Sequence, residues 1–448
     1  MEPFRIKDNS ALPKSDFYLV QNLVNKIADK TMRQLEQEGV FVFPQTLSDI
    51  PDMEEDQIIL QSHNQCYRTS NIMGFVGCGS QRLIIQSRFS TEGKDYFFQY
   101  LLERVMEYPN VVDMDVSSNQ ENLLFNLLLF LFPRYLKNAL RKGLFKTYIC
   151  KNYNDSHVTG QIDVARHITE NTPFVGKIAY RQREYSCDNA LTQLVRHTIE
   201  FIRRKKYGRQ LLASVKDEVA LIVNATPQYA VHDLQKVLSL NSKKPLRHAY
   251  YREYRNLQHL CVLILQHQRQ QIGTGSRQIY GLLFDGAWLW EEYVHLLIED
   301  SFYHPRNKAG KGAQRLFAGK TGLIYPDFIS RDSQNRTIGD AKYKPAQNIG
   351  NRDYLQLLAY MLRFDAQTGF YFYPDTQQSP GRRLQVNKGS TYEGNVEPRN
   401  DLCVIKLGLH IPLCNGNYQD FAQEMQRSEN SFQADLSAHT PPPLPSLV

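Results

Sequence analysis

The chain has 448 residues, of which 42% are hydrophobic and 22% are charged, and its formal net charge is +7. This length exceeds one ordinary hydrophobic core, so we expect two or three domains, and the composition excludes a disordered or fibrous protein. The small positive charge permits contact with nucleic acid but does not demonstrate it.

Signals for membrane insertion, secretion and disulfide bonding are weak in this sequence. The longest apolar run, 123–132, is interrupted by Asn126 and is shorter than the ~20 residues that a bilayer span needs. The first residues lack the apolar core of a secretory signal, and the seven cysteines include no Cys-x-x-Cys pair. We therefore expect a cytoplasmic protein without a membrane span, a zinc ribbon or a disulfide framework.

The N-terminal region, residues 1–110, is predicted to be a small β-rich unit of the α+β class. Apolar residues at helical spacing predict a helix over residues 17–37, and short strands follow it. Two of these strands, 70–76 and 82–88, are joined by a glycine-containing turn typical of a hairpin. Because this region contains no group of chemically reactive residues, we predict that it docks a partner.

Helices dominate the middle region, residues 111–275. The sequence predicts helices over 120–141, 188–206 and 249–270, and a β-hairpin near 147–164. We assign contacts with DNA or a partner to this region.

Two basic clusters support that assignment. The first is Arg203–Arg209, and the second combines lysines, arginines and interleaved tyrosines: Lys243, Lys244, Arg247, Tyr250, Tyr251, Arg252, Tyr254 and Arg255. Such a pattern is typical of a surface that holds phosphates and packs against sugars. A solvated helix face also explains a run of charges, and both interpretations stay open at this point.

The most informative pattern is a predicted acid hairpin in the C-terminal region. Asp327 follows Pro326 within one predicted strand, 323–329, and Asp340 and Lys342 lie in the next predicted strand, 337–344. The residues between the strands, 331–336, are all polar, as expected of a hairpin connection. Strand side chains alternate between faces, so Asp340 and Lys342 point the same way. An opposing Asp327 would bring two carboxylates and an ammonium into one small volume.

This group of residues suits metal-dependent hydrolysis of phosphodiesters. Mg²⁺ binds through one or two protein carboxylates together with water and phosphate oxygens. The ion lowers the pKa of a bound water and stabilises the charge of an in-line displaced phosphate. A neighbouring lysine orients that water, helps to deprotonate it, or balances the developing charge.

The pattern resembles the PD-(D/E)xK nuclease superfamily, and two flanking predicted helices extend the resemblance. Gln356 and Tyr360 are four residues apart on one helical face and match the Q-x-x-x-Y element of RecB-like members. Upstream, the stretch 287–294 begins an amphipathic helix, where such nucleases place a further metal-site glutamate; Glu291 is the better match and Glu292 is the alternative. The resemblance implies that Gln356 and Tyr360 support the site or touch the DNA backbone.

The same resemblance implies roles for the hairpin residues. Asp327, Asp340 and Glu291 would be catalytic metal ligands for Mg²⁺, and Lys342 would position the nucleophilic water. Basic residues precede the hairpin, and among them Arg315 and Lys320 are predicted to contact DNA.

The order of motifs along the whole chain resembles the McrC family, the nuclease subunits of McrBC-type modification-dependent (5-methylcytosine) restriction systems. The resemblance is strongest over 159–201 and 286–361. It implies a separate McrB-like AAA+ GTPase ring that recognises modified double-stranded DNA, while the McrC-like subunit stimulates the ring and cuts.

The sequence argues against nucleotide binding by this chain itself. Gly319, Lys320 and Thr321 resemble the end of a phosphate-binding P-loop, but Gln314 stands where the loop requires glycine. We therefore expect GTP to be bound by the partner.

The predicted organisation is an α+β multidomain chain. Residues 276–415 form a PD-(D/E)xK endonuclease domain with a mixed sheet flanked by helices. Residues 416–448 form a tail that is Pro-rich at its end, and the stretch from Gln433 onward is predicted to be extended or disordered. Two alternatives remain: a subunit that chiefly binds and activates the AAA+ GTPase, and a stand-alone RecB-like repair nuclease.

Overall fold

The computed structural model describes the chain apart from several segments, namely residues 1–2, 39, 45–56, 92–93, 107–119, 206, 245, 247, 272–278, 306–313, 320, 390–395, 414–415 and 440–448. The chain divides into two compact units. The first unit contains residues 1–124 and 277–448, and the second contains residues 125–276. Both units contain helices and strands, which confirms the predicted α+β class.

The N-terminal part of the first unit is rich in strands. Its elements are β1 (Phe4–Lys7), β2 (Ala11–Pro13), α1 (Gln21–Ile27), α2 (Met32–Gln37), β3 (Val40–Phe43), β4 (Leu60–Ser62), β5 (Cys66–Thr69), β6 (Ile72–Cys78), β7 (Gln81–Gln86) and α3 (Tyr96–Val105). The predicted continuous helix over 17–37 is wrong. A 3₁₀ helix over Lys14–Val20 precedes α1, and Asp29, with φ of 58°, separates α1 from α2. A left-handed residue cannot continue a right-handed helix.

The second unit is mainly helical. Its elements follow from a helix that leads into it: α4 (Gln120–Leu140), β8 (Thr147–Asp155), β9 (Gln161–Ile162), α5 (Val164–Glu170), β10 (Ile178–Ser186), α6 (Ala190–Arg203), α7 (Gly208–Ala213), α8 (Lys216–Ala225), α9 (Leu234–Lys243) and α10 (Arg252–Gln271). None of the helices in the described part of the chain is both long enough and apolar enough to cross a lipid bilayer.

The hairpin predicted near 147–164 is wrong: β8 and β9 do not pair with each other, and each pairs with β10 instead. β8 pairs antiparallel with β10 along its whole length, from Thr147 opposite Ser186 to Asp155 opposite Ile178. A nine-residue strand satisfies the backbone groups of β8, whereas the chain after β9 turns into α5, whose first turn is capped by Asp163.

The C-terminal part of the first unit alternates strands and helices. Its elements are β11 (Ile279–Asp285), α11 (Gly286–Ile298), β12 (Phe302–Tyr303), β13 (Gln314–Arg315), β14 (Leu323–Ile324), β15 (Phe328–Ser330), β16 (Thr337–Ala341), α12 (Asn351–Phe364), β17 (Thr368–Asp375), β18 (Arg382–Gly389), β19 (Val396–His410) and α13 (Tyr418–His439).

A five-stranded sheet joins the two ends of the first unit in the order β1-β7-β6-β11-β3. Every residue of β11 is buried, as expected of a central strand that is covered on both faces. Gly74 of β6 faces β11 so closely that a Cβ atom there would lie 2.1 Å from the Leu282 carbonyl oxygen. The sheet therefore depends on a strand located about 200 residues after its other members.

The other large sheet of this unit has six strands of mixed direction, in the order β12-β15-β16-β17-β19-β18. β16, β17 and β19 run parallel, whereas β15 and β18 run antiparallel to their neighbours. On α12, Leu357, Tyr360, Met361 and Phe364 recur at helical spacing and form a core with residues of β16, β17 and β19. The ends of β15 and β16 carry the acid hairpin.

The tail differs from the prediction. Residues Tyr418–His439, which include the stretch predicted to be extended from Gln433, form α13. Apolar side chains at helical spacing are buried along it: Tyr418, Phe421, Met425, Phe432 and Leu436. The segment buries too little surface to fold alone, but packing on α3, α11 and β19 supplies the missing contacts. The Pro-rich end lies outside the described residues.

A buried carboxylate fixes α13 in place. Glu429, 1% exposed, accepts hydrogen bonds from the hydroxyls of Tyr100 (2.8 Å) and Tyr293 (2.7 Å) and lies 3.4 Å from Arg104. The two tyrosines belong to α3 and α11. Glu429 therefore links α13 to both α3 and α11. Of these helices, α11 also carries Glu291.

We expect Glu429→Ala to lower the free energy of unfolding by about 3 kcal/mol, because it leaves two buried hydroxyls without an acceptor. Chemical denaturation measures the change. Glu424→Ala, at an exposed position of the same helix, is the matched control and should change stability by less than about 1 kcal/mol. Equal losses in the two variants would show that Glu429 contributes no more than a surface residue.

Candidate active site

The acid hairpin ends with two aspartates opposite each other. β15 and β16 run antiparallel with Phe328 opposite Gly339, and the same register continued by one residue sets Asp327 opposite Asp340. Asp327 Oδ2 accepts a hydrogen bond of 2.8 Å from the backbone N–H of Ala341. This bond holds the Asp327 carboxylate against the end of β16, beside Asp340.

The strand beneath the acids is tightly packed. A Cβ atom at Gly339 would lie 2.6 Å from the Phe372 ring and 3.2 Å from Phe328 Cβ, so glycine is what lets both phenylalanines pack against β16. The indole N–H of Trp290 donates a 3.1 Å hydrogen bond to the Phe372 carbonyl. α11 is thereby fixed to β17, the strand next to β16.

Burial makes both carboxyl groups weaker acids than an ordinary aspartate. Burial raises the pKa of Asp340, which is 2% exposed, to about 7; the Asp327 charge adds to this rise and the Lys342 charge opposes it. Burial and then the charge of Glu291 raise the pKa of Asp327 to about 7, again against Lys342. Near neutral pH the pair therefore holds a proton readily unless a further cation neutralises it.

Lys342 is a cation in this site. Its Nζ lies 2.7 Å from Asp340 Oδ2 and 3.9 Å from Asp353 Oδ1. Burial disfavours its charged form, but the charges of Asp340 and Asp327 outweigh burial and raise the pKa of Lys342. An ammonium group only donates hydrogen bonds. Of the roles left open by the sequence, this geometry favours orienting a water or phosphate oxygen over accepting a proton.

Asp353, in the first turn of α12, is an acid that the sequence analysis did not single out. Its Oδ2 accepts a hydrogen bond from the Gly350 N–H (2.8 Å) and lies 2.7 Å from Lys344 Nζ. Burial acts to raise the pKa of Asp353, but bonds from Lys344 and Gly350 outweigh it and lower the pKa. Asp353 thus stays ionised and balances Lys342 and Lys344. An acid at a helix start is a recognisable signal, although it does not by itself indicate a site.

The two glutamates of α11 have different surroundings. Glu291 lies close enough to Asp327 for its charge to raise the pKa of that carboxyl. Glu292 accepts a 3.0 Å hydrogen bond from the indole N–H of Trp288 and lies 3.6 Å from His304 Nε2. Glu291 is therefore the glutamate that lies near Asp327.

His304 is a second residue that sequence reasoning missed. Its Nδ1 lies 3.0 Å from the Asp327 carbonyl oxygen and 3.8 Å from Glu291 Oε1. Burial acts to lower the pKa of His304, but its contacts with Glu292 and Asp327 raise the pKa above its ordinary value. A lone histidine after β12 carries no sequence signal, because only the pairing of β12 with β15 brings it here.

Gln356 and Tyr360 form a pair close to the aspartates. Gln356 Nε2 donates a 2.7 Å hydrogen bond to the Tyr360 hydroxyl. Burial raises the pKa of Tyr360, and the charges of Asp340 and Asp327 contribute to that rise. The helical face predicted from the four-residue spacing therefore faces the acid hairpin.

The two predicted DNA-contacting residues are less informative. Arg315 is an exposed residue of β13, which pairs with β14 in a separate two-stranded sheet, and its carbonyl accepts a 2.5 Å hydrogen bond from Arg363 Nε. Lys320 lies outside the described residues. DNA contact by both residues stays a prediction.

The end of the lysine strand is anchored to the N-terminal sheet. The Arg88 guanidinium lies 4.6 Å from the centre of the Tyr343 ring, and its Nη2 lies 2.7 Å from Asp8 Oδ2. Tyr343 directly follows Lys342 and is buried. Because Asp8 directly follows β1, this contact ties the position of Lys342 to the first strand of the chain.

The carboxylates of this site suit a hard divalent cation. In the part of the chain that the structure describes, no three His, Cys, Asp or Glu side chains are gathered as a ready-made metal cluster. The two aspartates are instead held together with pKa values near 7, an arrangement that a divalent cation would relieve. Two carboxylates suit Mg²⁺, which keeps several waters and takes its other ligands from substrate phosphate. They do not suit a structural zinc site.

Comparison with known proteins identifies relatives of the chain. The family model described as "McrBC 5-methylcytosine restriction system component" matches residues 67–374, more than half of the chain. No curated protein matches the chain. The chain is similar, at 14% identity and a TM-score of 0.48, to a refined half-complex from a tetradecameric assembly of Thermococcus gammatolerans McrB AAA+ hexamers with bound McrC; the match covers 98% of this chain and 100% of that chain. For the cryo-EM structure of the Thermococcus gammatolerans McrBC complex, the identity is 14%, the TM-score 0.31 and the coverage 66% and 87%.

Proposed function

The chain belongs to the family of McrBC 5-methylcytosine restriction system components, and we propose that within such a system it is the subunit that cleaves DNA. The observation that carries this proposal is the buried pair Asp327 and Asp340 with the Lys342 ammonium 2.7 Å from one carboxylate. Such a group has little structural value of its own, because burying charges costs stability. It is suited to Mg²⁺-dependent hydrolysis of phosphodiesters.

The proposed domain is a PD-(D/E)xK endonuclease over residues 276–415. The mixed six-stranded sheet supports it, because β15 and β16 carry the acid hairpin near the middle of the sheet. α11 precedes the hairpin with Glu291, and α12 follows it with Gln356 and Tyr360. This order is the one that the sequence resemblance implies.

In this proposal Asp327 and Asp340 hold Mg²⁺, and Glu291 is a further ligand. Bound Mg²⁺ supplies an acidified water and positive charge at the scissile phosphate. Lys342 keeps its proton and donates hydrogen bonds to the attacking water or to a phosphate oxygen. Asp353 lies 3.9 Å from the Lys342 ammonium and helps to keep it charged. Gln356 and Tyr360 support the hairpin or contact the DNA backbone.

We further propose that the chain acts on modified double-stranded DNA together with a McrB-like AAA+ ring that binds and hydrolyses GTP. Family membership supports a multi-component system. An exposed apolar set in the second unit supports protein docking: Ile162, Val164, Ile168, Phe174 and Val175, each at least 48% exposed. Neighbouring exposed apolar side chains of this size mark interaction surfaces.

We expect Phe174→Gln to raise the concentration of this chain needed for half-maximal stimulation of the partner GTPase by about tenfold to thirtyfold. Burying one phenylalanine contributes about 2 kcal/mol, and 1.4 kcal/mol corresponds to tenfold. Titration of the chain into the AAA+ protein with GTP measures this. Leu221→Gln, on α8 and 50% exposed, is the matched control. Equal effects of the two substitutions would place docking elsewhere.

The experiment that tests the function compares methylated and unmethylated plasmid, both circular and linearised, with Mg²⁺, in the presence and absence of a McrB-like AAA+ protein and GTP. Cleavage that requires partner, nucleotide and methylation is the expected result. Degradation of DNA ends by the chain alone would establish the repair-nuclease alternative. GTPase stimulation without any cleavage would establish the purely activating alternative.

A further inference from the structure

The second unit contains an open cleft that plays no part in the proposed cleavage. Its volume is about 600 Å³, within the range of small-ligand sites. The wall combines aromatic and basic side chains, among them Phe145, Lys146, Tyr148, Tyr185, His248 and Tyr251. None of the described residues that line the cleft is an aspartate or glutamate.

Two exposed tyrosines form one side of the cleft. The register of β8 and β10 sets Tyr148 opposite Tyr185, and the two ring centres are 5.1 Å apart at an angle of 47°. Tyr148 is 63% exposed and Tyr185 is 59% exposed. Neither ring contributes much to the protein core, so the pair is available to stack against a ligand.

Two cations accompany these rings. The Arg183 guanidinium lies 5.2 Å from the centre of the Tyr148 ring, because Arg183 and Tyr185 are two residues apart on β10 and share a face. Lys146 is exposed in the wall of the cleft. In the described residues, neither Arg183 nor Lys146 is paired with a carboxylate. Their charges are therefore free to meet an anion.

Another part of the lining comes from the segment of the second basic cluster. Tyr251 packs edge-on against Phe145, with ring centres 5.1 Å apart, and His248 lies 5.3 Å from Tyr251. Of the other interleaved tyrosines, Tyr250 is 57% exposed, whereas Tyr254 is fully buried and belongs to the core. The phosphate-holding interpretation of this cluster thus applies to part of it only.

We propose that this cleft binds an unpaired nucleotide of a single-stranded nucleic acid. The base stacks on Tyr148 and Tyr185, and the flanking phosphates pair with Lys146 and Arg183. Aromatic platforms beside cations are how proteins bind single strands without sequence preference. A duplex keeps its base faces stacked inside the helix, so it cannot use this platform. The inference concerns binding alone and does not depend on cleavage.

Fluorescence anisotropy of a labelled oligothymidylate of roughly 20 nucleotides, titrated with the full chain in EDTA, tests the proposal. We expect Tyr148→Ala and Tyr185→Ala each to weaken binding by about tenfold. Tyr148→Phe should retain the affinity, because the ring remains. Tyr18→Ala, at a position that is 71% exposed in the first unit, is the control and should bind as wild type does. Arg183→Gln should lower the salt dependence by about one phosphate contact.

Because the titration is run in EDTA, binding by the cleft is measured without the proposed metal-dependent cleavage, and the two can fail independently. The proposal is overturned if wild type does not bind the oligothymidylate, or if the Tyr148→Ala, Tyr185→Ala double variant binds as tightly as wild type. It is also overturned if these variants lose only the stimulation of the AAA+ partner, since the cleft would then be a protein-docking surface.

Discussion

We expect Asp340→Asn to reduce Mg²⁺-dependent DNA cleavage by roughly a hundredfold to a thousandfold. The carboxylate is one of two that would hold the metal, and it lies 2.7 Å from Lys342 Nζ. Asparagine keeps the shape of the side chain but removes the charge that binds Mg²⁺ and fixes the ammonium. Plasmid cleavage under single-turnover conditions, with the AAA+ partner and GTP present, measures the loss.

Two comparisons give this result its meaning. Asp300→Asn makes the same chemical change at an exposed position just after α11 and should retain full cleavage. Asp340→Asn should still stimulate the partner GTPase, because that activity depends on docking and not on the acid hairpin. Cleavage by Asp340→Asn at the wild-type rate would remove Asp340 from the active site.

The acid hairpin was predictable because its information is local. A polar connection between two short strands fixes an antiparallel register, and alternation then sets Asp340 and Lys342 on one face. The pair Gln356 and Tyr360 was predictable for a similar reason, since four-residue spacing defines a helical face. In each case, residues close in sequence determine the geometry.

Other parts of the fold and site depend on contacts that no local pattern records. β11 lies between β6 and β3, although those strands precede it by about 200 residues. His304 reaches Asp327 only because β12 pairs with β15. These residues can be read directly from the sequence, but the pairing of distant segments decides which of them come into contact.

The tail shows a different limit. Its apolar residues, from Tyr418 to Leu436, recur at helical spacing, so the period was visible. The expectation of an extended segment from Gln433 came from polar composition, which measures whether a segment folds alone. Polar composition was a misleading guide here, because the polar residue Glu429 is the one that anchors the helix, through hydrogen bonds from Tyr100 and Tyr293.

We expect Asp327→Asn to stabilise the metal-free protein above about pH 7 while abolishing cleavage. The folded-state pKa of Asp327 is raised from 3.8 to about 7, so the folded protein holds this proton more tightly than the unfolded chain does. The free energy of unfolding of wild type therefore falls as the pH rises from about 4 to about 7 and then levels off. Asparagine imitates the protonated carboxyl and still accepts the Ala341 N–H, so the variant escapes this loss.

Denaturation in EDTA at pH 4.5 and pH 8 measures the effect. The variant should exceed wild type by only about 1 kcal/mol at the lower pH and by on the order of 4 kcal/mol at the higher pH. Adding Mg²⁺ at pH 8 should raise the thermal midpoint of wild type, because the ion binds the ionised folded state, and should do so less in the variant. Asp300→Asn should show neither effect. A variant less stable than wild type at pH 8 would mean that Lys342 neutralises Asp327 fully without a metal.

The stability change at pH 8 and the response to Mg²⁺ together indicate whether the carboxylates serve the stability of the fold or the binding of a cation. A carboxylate pair kept for stability would lose stability on substitution, whereas one that costs stability until a cation arrives is retained for what the cation does. Asp327, Asp340 and Glu291 all add negative charge to one buried volume, and Lys342 alone does not cancel it. If Asp327→Asn gains stability and loses cleavage, the buried carboxylates of the hairpin cost the fold stability and are retained for the reaction.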